Sequence, residues 1–463
     1  MQQPTPNGSS TEHNNWLKDQ LAKYPLLQAL QGRRSRRFGM GMKIEQGPFT
    51  YASPYPPQPL TEDEEAILAF AACGITGYAL ADLAYGKGQG GHMLDGLVGR
   101  TVASPDAINT VSVAITNDDA TYILKRPQDF AFSEIPDLIR LSEQGQLTEL
   151  YRRMRVKIGD SRATVPVEPG FNFNINKWSV YAKGGTYFVP INEMTAMYIN
   201  ALLESFEPEM GLFVIDERNL YQPAGIGRFA KSKGGPLNDD LKSNQVVTVQ
   251  GLEMSFAEAC AVEQGMVLQN LGLMSQLIGL GGFSNFARSE FGWFEALGFR
   301  MEKMLSTKYA GANGLMTAIF SLLGRNFMYP YAVGLERDGK VLLHAYCPPY
   351  YSSMKDAVLD FVAHKFGPQG IYREGAYSSA WKDPAVTSQG IDGPSETAVQ
   401  ATIAYCDYIF KRYGRFPAYS AAFRTVIGYQ ATHVDVDFYR KFYRAEALTE
   451  TQYARQDFLN PTK

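Results

Sequence analysis

The chain has 463 residues, of which 45% are hydrophobic and 20% are charged, and its formal net charge is −3. A chain of this length exceeds the size at which single hydrophobic cores stop growing, so we expect one large elaborated domain with an appendage, or two domains. The composition argues against a largely disordered chain, and the near-neutral charge gives no electrostatic footprint for nucleic acid or an anionic membrane. We therefore expect a globular protein with neither a nucleic-acid nor a membrane partner.

Cysteine spacing and the polar start of the chain bear on its compartment. Cys73, Cys260, Cys347 and Cys406 lie far apart and form no CxxC pair, so they predict buried reduced thiols rather than a zinc site or a disulfide framework. The first fifteen residues lack the apolar core of a secretory signal, and no apolar run reaches the ~18 residues that span a bilayer. These features predict a cytoplasmic protein.

The first predicted element is a short amphipathic helix at residues 16–30, and a basic cluster follows it at once. This cluster comprises Arg33, Arg34, Ser35, Arg36 and Arg37. Guanidinium groups and a hydroxyl form a good phosphate-binding set, because they offer charge-assisted hydrogen bonds to several phosphate oxygens together. The alternative is a solvated basic turn, which is the commoner outcome for an isolated run of this kind.

A proline-rich extended spacer is predicted at residues 54–59, and a helix follows it. Thr61 is the expected N-cap of this helix, acidic residues fill its first turn, and Gly74 is its expected end. After a glycine-rich loop, Asn109 lies in a turn ahead of a β-hairpin. The hairpin consists of a strand at 111–115, an Asn-Asp-Asp turn and a second strand.

The middle of the chain predicts a strand that runs into a helix capped by Asn192, followed by a core strand at residues 211–215. Residues 221–235 contain glycines and basic side chains, which is typical of an exposed loop or lid. In residues 171–178 aromatic side chains alternate with amides. That alternation suits a ligand-facing strand and an ordinary edge strand equally well.

A long core-facing helix with a glycine-rich end is predicted at residues 255–278. Ser255 precedes Glu258 by three residues, which is the spacing of a capping box, and apolar residues then recur at three- and four-residue steps. The helix ends in Gly279-Leu280-Gly281-Gly282, where glycines can adopt positive φ and expose backbone N–H groups to a flat or anionic ligand. The alternative is a packed helix with a glycine C-cap and no ligand.

A second cluster of polar residues lies near the end of the chain. His433, Asp435 and Asp437 share one face if their segment is a strand, and such a set can hold a metal. The alternative is a histidine held by a nearby carboxylate while Val434 and Val436 face a core. We favour this alternative and predict no metal site, because no second histidine accompanies the first.

Four segments carry a family resemblance, namely RRSRRF at 33–38, LTEDEEAILAFAA at 60–72, SPDAIN at 104–109 and QNLGLMSQLIGLG at 269–281. In this order they resemble the nitroreductase-like family of FMN-dependent oxidoreductases, and the last segment is the most specific match. A later strand of the family is similar to residues 331–335. Simple members of the family are much shorter than this chain.

This resemblance implies an α+β fold with a nitroreductase-like mixed sheet flanked by helices. The expected organisation is an N-terminal helix or arm at 1–29, an FMN domain at 30–349 with an insertion at about 130–247, and a C-terminal extension at 350–463. The family typically forms intertwined homodimers with FMN at the subunit interface, so the resemblance also implies a homodimer.

The resemblance also assigns individual residues to an FMN site. Arg33, Arg34, Ser35 and Arg37 match the phosphate and ribityl contacts, Arg36 fills the variable position, Asn109 matches the residue that reaches the flavin ring, and Gly279, Gly281 and Gly282 match the backbone turn near the isoalloxazine. No catalytic side chain is assigned, because a flavin stores two electrons and a proton by itself and the protein mainly binds, orients and tunes it.

The function implied by the resemblance is that of an FMN-dependent oxidoreductase. Electrons would pass from a reduced donor such as NAD(P)H through the flavin to a small electron-poor substrate. Two alternatives stay open at this point. The chain can be an FMN-dependent oxidase or dehydrogenase of a peptide or metabolite, or a flavin-free binding or assembly module of the same fold with its aromatic tail as the contact surface.

Overall fold

The protein is described by a computed structural model for residues 10–23, 26–86, 88–104, 108–168, 170–286 and 289–459. Its helices are α1 (Ser10–Lys23), α2 (Leu26–Gly32), α3 (Glu62–Cys73), α4 (Ile135–Glu143), α5 (Leu147–Met154), α6 (Met194–Ser205), α7 (Val249–Leu277), α8 (Glu290–Ala296), α9 (Ser306–Tyr309), α10 (Gly314–Leu322), α11 (Met354–Phe366), α12 (Pro384–Gln389), α13 (Glu396–Tyr413), α14 (Val436–Phe442) and α15 (Glu450–Leu459).

The strands are β1 (Lys43–Ile44), β2 (Tyr51–Ala52), β3 (Ile75–Tyr78), β4 (Val98–Arg100), β5 (Val111–Thr116), β6 (Thr121–Leu124), β7 (Arg155–Gly159), β8 (Thr186–Glu193), β9 (Phe213–Asp216), β10 (Gln222–Pro223), β11 (Val246–Thr248), β12 (Leu280–Phe286), β13 (Phe299–Leu305), β14 (Met328–Arg337), β15 (Lys340–His344), β16 (Phe423–Arg424) and β17 (Ile427–His433). This mixture of helices and sheets confirms the predicted α+β class.

The main sheet has the strand order β12-β17-β8-β5-β6-β7, and β16 also pairs with β8. Neighbouring strands are antiparallel throughout, and every residue of the central strand β8 is buried. Val111, Val113 and Ile115 of β5 pack in the core that contains α3, α4 and α7, whereas Ala114 packs in the core that contains α6 and α13. Successive side chains of a strand point to opposite faces, so helices cover both faces of this sheet.

Four smaller sheets surround the main one. They have the orders β10-β9-β11, β13-β14-β15, β1-β2 and β3-β4. The predicted strand at 331–335 is confirmed as part of β14, and the predicted core strand at 211–215 corresponds to β9. Neither belongs to the main sheet, which sequence patterns alone do not reveal because strand pairing is non-local.

The main sheet draws strands from the predicted FMN domain, from its insertion and from the C-terminal extension. β8 lies in the predicted insertion and β17 in the predicted C-terminal extension, yet β17 pairs with both β12 and β8. The segment boundaries stay a prediction. The sheet pairing shows that the insertion and the tail each supply a strand to one shared sheet.

Local signals predicted several elements correctly. Thr61 caps α3 and forms a capping box with Glu64, Gly74 follows its last residue, and β5 and β6 form the predicted hairpin. The predicted helix at 16–30 is helical in its described residues, which belong to α1 and α2, and residues 24 and 25 lie outside the described part. The four cysteines are buried thiols, as predicted.

The predicted start of the long helix is wrong. α7 begins at Val249, where the Thr248 side chain accepts a hydrogen bond from the Gly251 N–H. Ser255 lies inside the helix, and its Oγ donates to the Gly251 carbonyl across 3.2 Å. A serine within a helix often bonds back to the preceding turn in this way, so its spacing to Glu258 does not mark a cap.

Three other local predictions also need correction. The cap of α6 is Glu193 rather than Asn192, because the Glu193 carboxylate accepts from the N–H groups of two following residues. Residues 171–178 form turns with a short 3-10 helix at Asn174–Asn176 instead of a strand. The predicted loop at 221–235 is irregular but not an exposed lid, since Ala224, Ile226 and Ala230 are buried within it. Among the described helices, none is long and apolar enough to cross a membrane.

Candidate functional site

The basic cluster lies beside the glycine-rich end of α7. Arg36 forms an antiparallel bridge with Gly282 of β12, and Gly39 forms another with Val434 just after β17. The segment of residues 33–38, here called the arginine segment, therefore runs along β12. The structure thus brings together two of the four segments on which the family resemblance is based.

Arg36 holds the arginine segment in place from inside the protein. Its side chain is 2% exposed and donates through Nε to the Ala447 carbonyl, through Nη1 to Gln276 Oε1 and through Nη2 to the Gly32 carbonyl. The three donor–acceptor distances are 2.8, 2.7 and 3.2 Å. A guanidinium saturated by such bonds anchors its neighbours and is not available to a ligand.

Arg33, Arg34 and Ser35 are exposed and line a cavity of about 300 Å³, here called the arginine cavity. Its other walls are a face of α7, the start of β12 and one residue of β17: Gly265, Leu268, Gln269, Gly272, Gly282, Phe283, Ser284 and Tyr429. Arg34 Nη1 donates to the carbonyls of Gln31 and Arg33, and no described carboxylate pairs with Arg33 or Arg34. Two guanidiniums without a counter-ion favour an anionic ligand.

The α7 wall of the arginine cavity is open because glycine occupies two positions on it. A Cβ added at Gly265 would meet no atom within 4 Å, and one added at Gly272 would come no closer than 3.7 Å to the Arg33 side chain. Opposite them, burial raises the pKa of Tyr429 to about 12, so its phenol stays protonated near neutral pH. The cavity therefore combines cations, hydroxyl groups and an unobstructed helix face.

Arg37 points away from the arginine cavity. Its Nη1 donates to Asn176 Oδ1 across 3.1 Å, and its guanidinium lies 4.2 Å from the centroid of the Phe283 ring. Burial lowers the pKa of Arg37 from its usual value, with a smaller opposing effect from Tyr439. Of the four residues assigned to phosphate and ribityl contacts, three thus line one cavity and Arg37 lines a different one.

Glycine is required at the end of α7 for two different structural reasons. Gly279 has a φ of +78°, as predicted for a helix end. Gly281 and Gly282 lie in β12, and neither adopts the left-handed region, so that part of the prediction is wrong. A Cβ at Gly281 would lie 2.6 Å from the Arg36 carbonyl oxygen, and one at Gly282 would overlap the Tyr429 hydroxyl. These glycines permit close approach of neighbouring chain segments.

Asn109 lies elsewhere. It has a φ of +53° and lines a cavity of about 390 Å³ that includes Asp95, Arg100 and His364 and shares no lining residue with the arginine cavity. Asn109 Oδ1 is buried and has no hydrogen-bond partner among the described residues. Residues 105–107 of the matching SPDAIN segment lie outside the described part. One copy of the chain therefore does not bring Asn109 to the arginines.

A buried polar network connects α7 to the start of β5. Glu263 is fully buried, and its carboxylate accepts from Ser104 Oγ, Thr110 Oγ1 and Asn192 Nδ2 across 2.5, 3.2 and 2.6 Å. The sequence analysis missed this network and also the position of Tyr429 at the arginine cavity. Glu263 carries a signal that points to it, since it falls among the apolar positions of the long helix, but Tyr429 has no local signal.

The three polar residues near the chain end do not converge. His433 Nε2 lies 3.4 Å from Glu64 Oε2 of α3, Asp435 caps α14, and Asp437 accepts from the Tyr55 hydroxyl across 2.5 Å. This confirms the interpretation of a histidine held by a carboxylate. In the described part of the chain, no three histidine, cysteine, aspartate or glutamate residues are grouped closely enough to hold a metal ion.

Comparisons with known proteins give a distant structural likeness. No family model matches the chain, and no curated protein matches it in sequence. Among solved structures, the chain is similar to a Ralstonia eutropha JMP134 protein designated a "putative nitroreductase". The two share 13% sequence identity with a TM-score of 0.27, and the match covers 59% of this chain and 75% of that chain.

Proposed function

We propose that the protein is an FMN-dependent oxidoreductase whose cofactor binds in the arginine cavity. The observation that carries this proposal is the pair of guanidiniums, Arg33 and Arg34, without a described counter-ion beside the Ser35 hydroxyl and an open helix face. Guanidiniums bind phosphate oxygens with strong charge-assisted hydrogen bonds. In the proposed complex these three side chains hold the FMN phosphate.

The surfaces around the arginines suit a flat ring system. Gly265 and Gly272 leave two gaps between the side chains of the α7 wall, and Phe283 and Tyr429 are the aromatic residues among the lining. Aromatic rings pack favourably against other planar rings at offset or edge-on geometries. The protonated Tyr429 hydroxyl is also a hydrogen-bond donor for a ligand oxygen or nitrogen.

The size of the cavity supports the proposed homodimer. A volume of about 300 Å³ is at the lower limit of small-molecule pockets, so the cavity of one chain encloses FMN incompletely. Next to the cavity, three apolar residues of α7 are exposed to solvent: Met254 by 51%, Val262 by 44% and Met266 by 37% of their surface. A second copy packed on this face would bury these side chains and close the cavity.

When bound, FMN would supply two-electron redox chemistry, and the chain would bind and orient it. Arg33 and Arg34 would offset the phosphate charge, while the buried bonds of Arg36 keep the arginine segment against β12. The proposed electron donor is NAD(P)H, and the proposed acceptor is a small electron-poor compound. No side chain is given a proton-transfer role.

The test is release and rebinding of the cofactor. Denaturation of the purified protein should release FMN, identified by its absorbance and chromatography, and the apoprotein should rebind FMN at micromolar concentrations. The double variant Arg33→Ala/Arg34→Ala should bind more weakly by about 1.5–3 kcal/mol, the range for hydrogen bonds to charged groups. Arg325→Ala is a matched control, since Arg325 is also exposed but lines none of these cavities.

Oxygen consumption distinguishes the proposed reductase from the oxidase alternative. A reductase with NADH or NADPH and a nitroaromatic acceptor should transfer electrons to the acceptor in preference to oxygen. A protein that releases no flavin and rebinds none at micromolar concentrations would contradict the proposed function and support the flavin-free module.

A further inference from the structure

A second and larger cavity lies on the other side of the arginine segment. It has a volume of about 650 Å³ and shares Arg34 and Ser35 with the arginine cavity, but its remaining lining is different. We call it the aromatic cavity, because Phe49, Trp178 and Tyr443 project from three separate parts of the chain to line it. No part of the proposed function uses this cavity.

These three aromatic side chains are each more than a third exposed to solvent, although they pack against other rings. Phe49 is 39% exposed, Trp178 37% and Tyr443 44%. The Phe49 and Tyr443 rings are nearly parallel, at an interplanar angle of 9° with centroids 5.6 Å apart. Their arrangement leaves ring surface in contact with solvent, and such surface is available for stacking with a planar ligand.

Buried rings lie behind them. Phe38 is 1% exposed and stacks on Trp178 with centroids 6.1 Å apart and on Phe438 with centroids 4.1 Å apart. Phe438 in turn contacts Phe49 and Tyr443. Phe38 is the last residue of the arginine segment, so the ring array and the arginines form one connected wall. A pre-positioned wall loses little side-chain entropy when a ligand binds.

The charge of the aromatic cavity is of one sign. Arg34, Arg36 and Arg37 line it, no acidic side chain does, and no described carboxylate pairs with Arg34 or Arg37. Arg36 is saturated by protein acceptors, which leaves Arg34 and Arg37 near the rings. A ligand that complements these rings and arginines has a planar aromatic group and, next to it, a negative charge.

We propose that the aromatic cavity binds a nucleoside phosphate, with its base against Phe49, Trp178 and Tyr443 and its phosphate on Arg37. Every base has a π-face, and base–aromatic stacking combined with arginine contacts is a general way to bind nucleotides. This inference does not depend on the proposed function, because Arg37 lines the aromatic cavity and not the arginine cavity. The two ligands would lie on opposite sides of the arginine segment.

Calorimetric titration of the full-length protein with ADP, adenosine and inorganic phosphate tests the inference. ADP should bind, while adenosine, which lacks the charge, and phosphate, which lacks the base, should each bind at least tenfold more weakly. The variant Phe49→Leu/Tyr443→Leu keeps apolar bulk but removes two rings, and it should bind ADP about 5- to 150-fold more weakly, as expected for lost stacking. Tyr377→Leu, at an exposed tyrosine outside the cavity, should bind ADP normally.

Three outcomes would overturn the inference. The first is no ADP binding at millimolar concentration, and the second is equal ADP affinity in the ring variant and wild type. The third is stoichiometric displacement of bound FMN by ADP, which would make the two cavities a single site. If the protein binds no FMN, the ADP titrations alone still decide the inference, so its failure and that of the proposed function are distinguishable.

Discussion

Arg36 donates through Nη1 to Gln276 Oε1 across 2.7 Å, and both side chains are 2% exposed. This bond connects the arginine segment to the last turn of α7, 240 residues away in the chain. It explains how a basic run that would be mobile in isolation lies along β12 with Arg33 and Arg34 at the cavity. We conclude that one arginine of the cluster is structural and positions the others.

The first prediction concerns this division of roles. Arg36→Met should lower the free energy of unfolding by about 2–4 kcal/mol, because it removes hydrogen bonds made by a buried charged donor and leaves acceptors unpaired. Arg34→Met, at an exposed position, should change stability by no more than about 0.5 kcal/mol. Urea unfolding of both variants checks this. Equal effects at the two positions would mean that Arg36 is no anchor.

The second prediction compares Gly265, which lines the arginine cavity, with Gly281, which does not. Gly281→Ala should destabilise the protein by about 1–3 kcal/mol, since the new Cβ would lie 2.6 Å from the Arg36 carbonyl oxygen, a backbone atom that cannot rotate away. Gly265→Ala should stabilise it by about 0.5–1 kcal/mol, because the helix position is open and alanine favours helix. Thermal unfolding should give shifts of opposite sign, and shifts of the same sign would contradict the geometry.

The third prediction concerns the buried ion pair of Glu64 and Arg455, which connects α3 to α15. Burial opposes ionisation of Glu64, but Arg455 and His433 together hold the pKa of this carboxyl well below its usual range. Arg455→Met should therefore cost about 3–5 kcal/mol at pH 7 by removing the arginine partner of a buried carboxylate, and adding Glu64→Gln should recover part of this loss. Denaturant titrations measure both variants, and a double variant less stable than Arg455→Met would refute the pairing.

The fourth prediction is a pH dependence from Glu253. This fully buried side chain of α7 accepts from the Ala418 and Tyr419 N–H groups, yet burial raises the pKa of Glu253 from 4.5 to about 8. A carboxyl with a raised pKa favours folding in its protonated form, so the unfolded chain releases this proton first as pH rises. The contribution of protonated Glu253 to the free energy of unfolding is fully present below about pH 4.5 and is lost as the pH rises through about 8.

Stability curves between pH 5 and 8 test this prediction. Glu253→Gln should be less stable at pH 5, since the amide nitrogen cannot accept the N–H that faces the second carboxyl oxygen, but it should lose less stability than wild type on going to pH 8. Glu258→Gln is the matched control, because Glu258 is exposed on the same helix. Parallel curves for wild type and Glu253→Gln would assign the pH dependence to other groups.

Sequence patterns predicted the elements whose determinants are local. Thr61 and Glu64 form a capping box within four residues, so α3 was predicted with its correct start and end. Ser255 and Glu258 show the same spacing inside α7, where the preceding residues already continue the helix, and a local rule cannot distinguish the two cases. The same local rule therefore predicts the start of α3 correctly and the start of α7 wrongly.

The candidate site was less predictable because its decisive contacts are distant in the chain. The order RRSRR does not show which arginine is buried, since the partners Gln276 and Ala447 come from α7 and from the tail. Tyr429 reaches the cavity because β17 inserts between β12 and β8, and no local pattern predicts that pairing. The separate location of Asn109 follows likewise from the three-dimensional fold.

The most direct test of the central claim is an FMN titration that blocks the arginine cavity without disturbing the fold. Gly265→Leu should fit because no atom lies within 4 Å of its Cβ position, while its side chain would occupy the α7 wall. Gly314→Leu is the control, since Gly314 is another helical glycine with open space and lines none of the cavities. We predict micromolar FMN binding by wild type and Gly314→Leu and at least tenfold weaker binding, about 1.4 kcal/mol, by Gly265→Leu. Equal FMN affinity of all three proteins, or no FMN binding by wild type, would contradict the account.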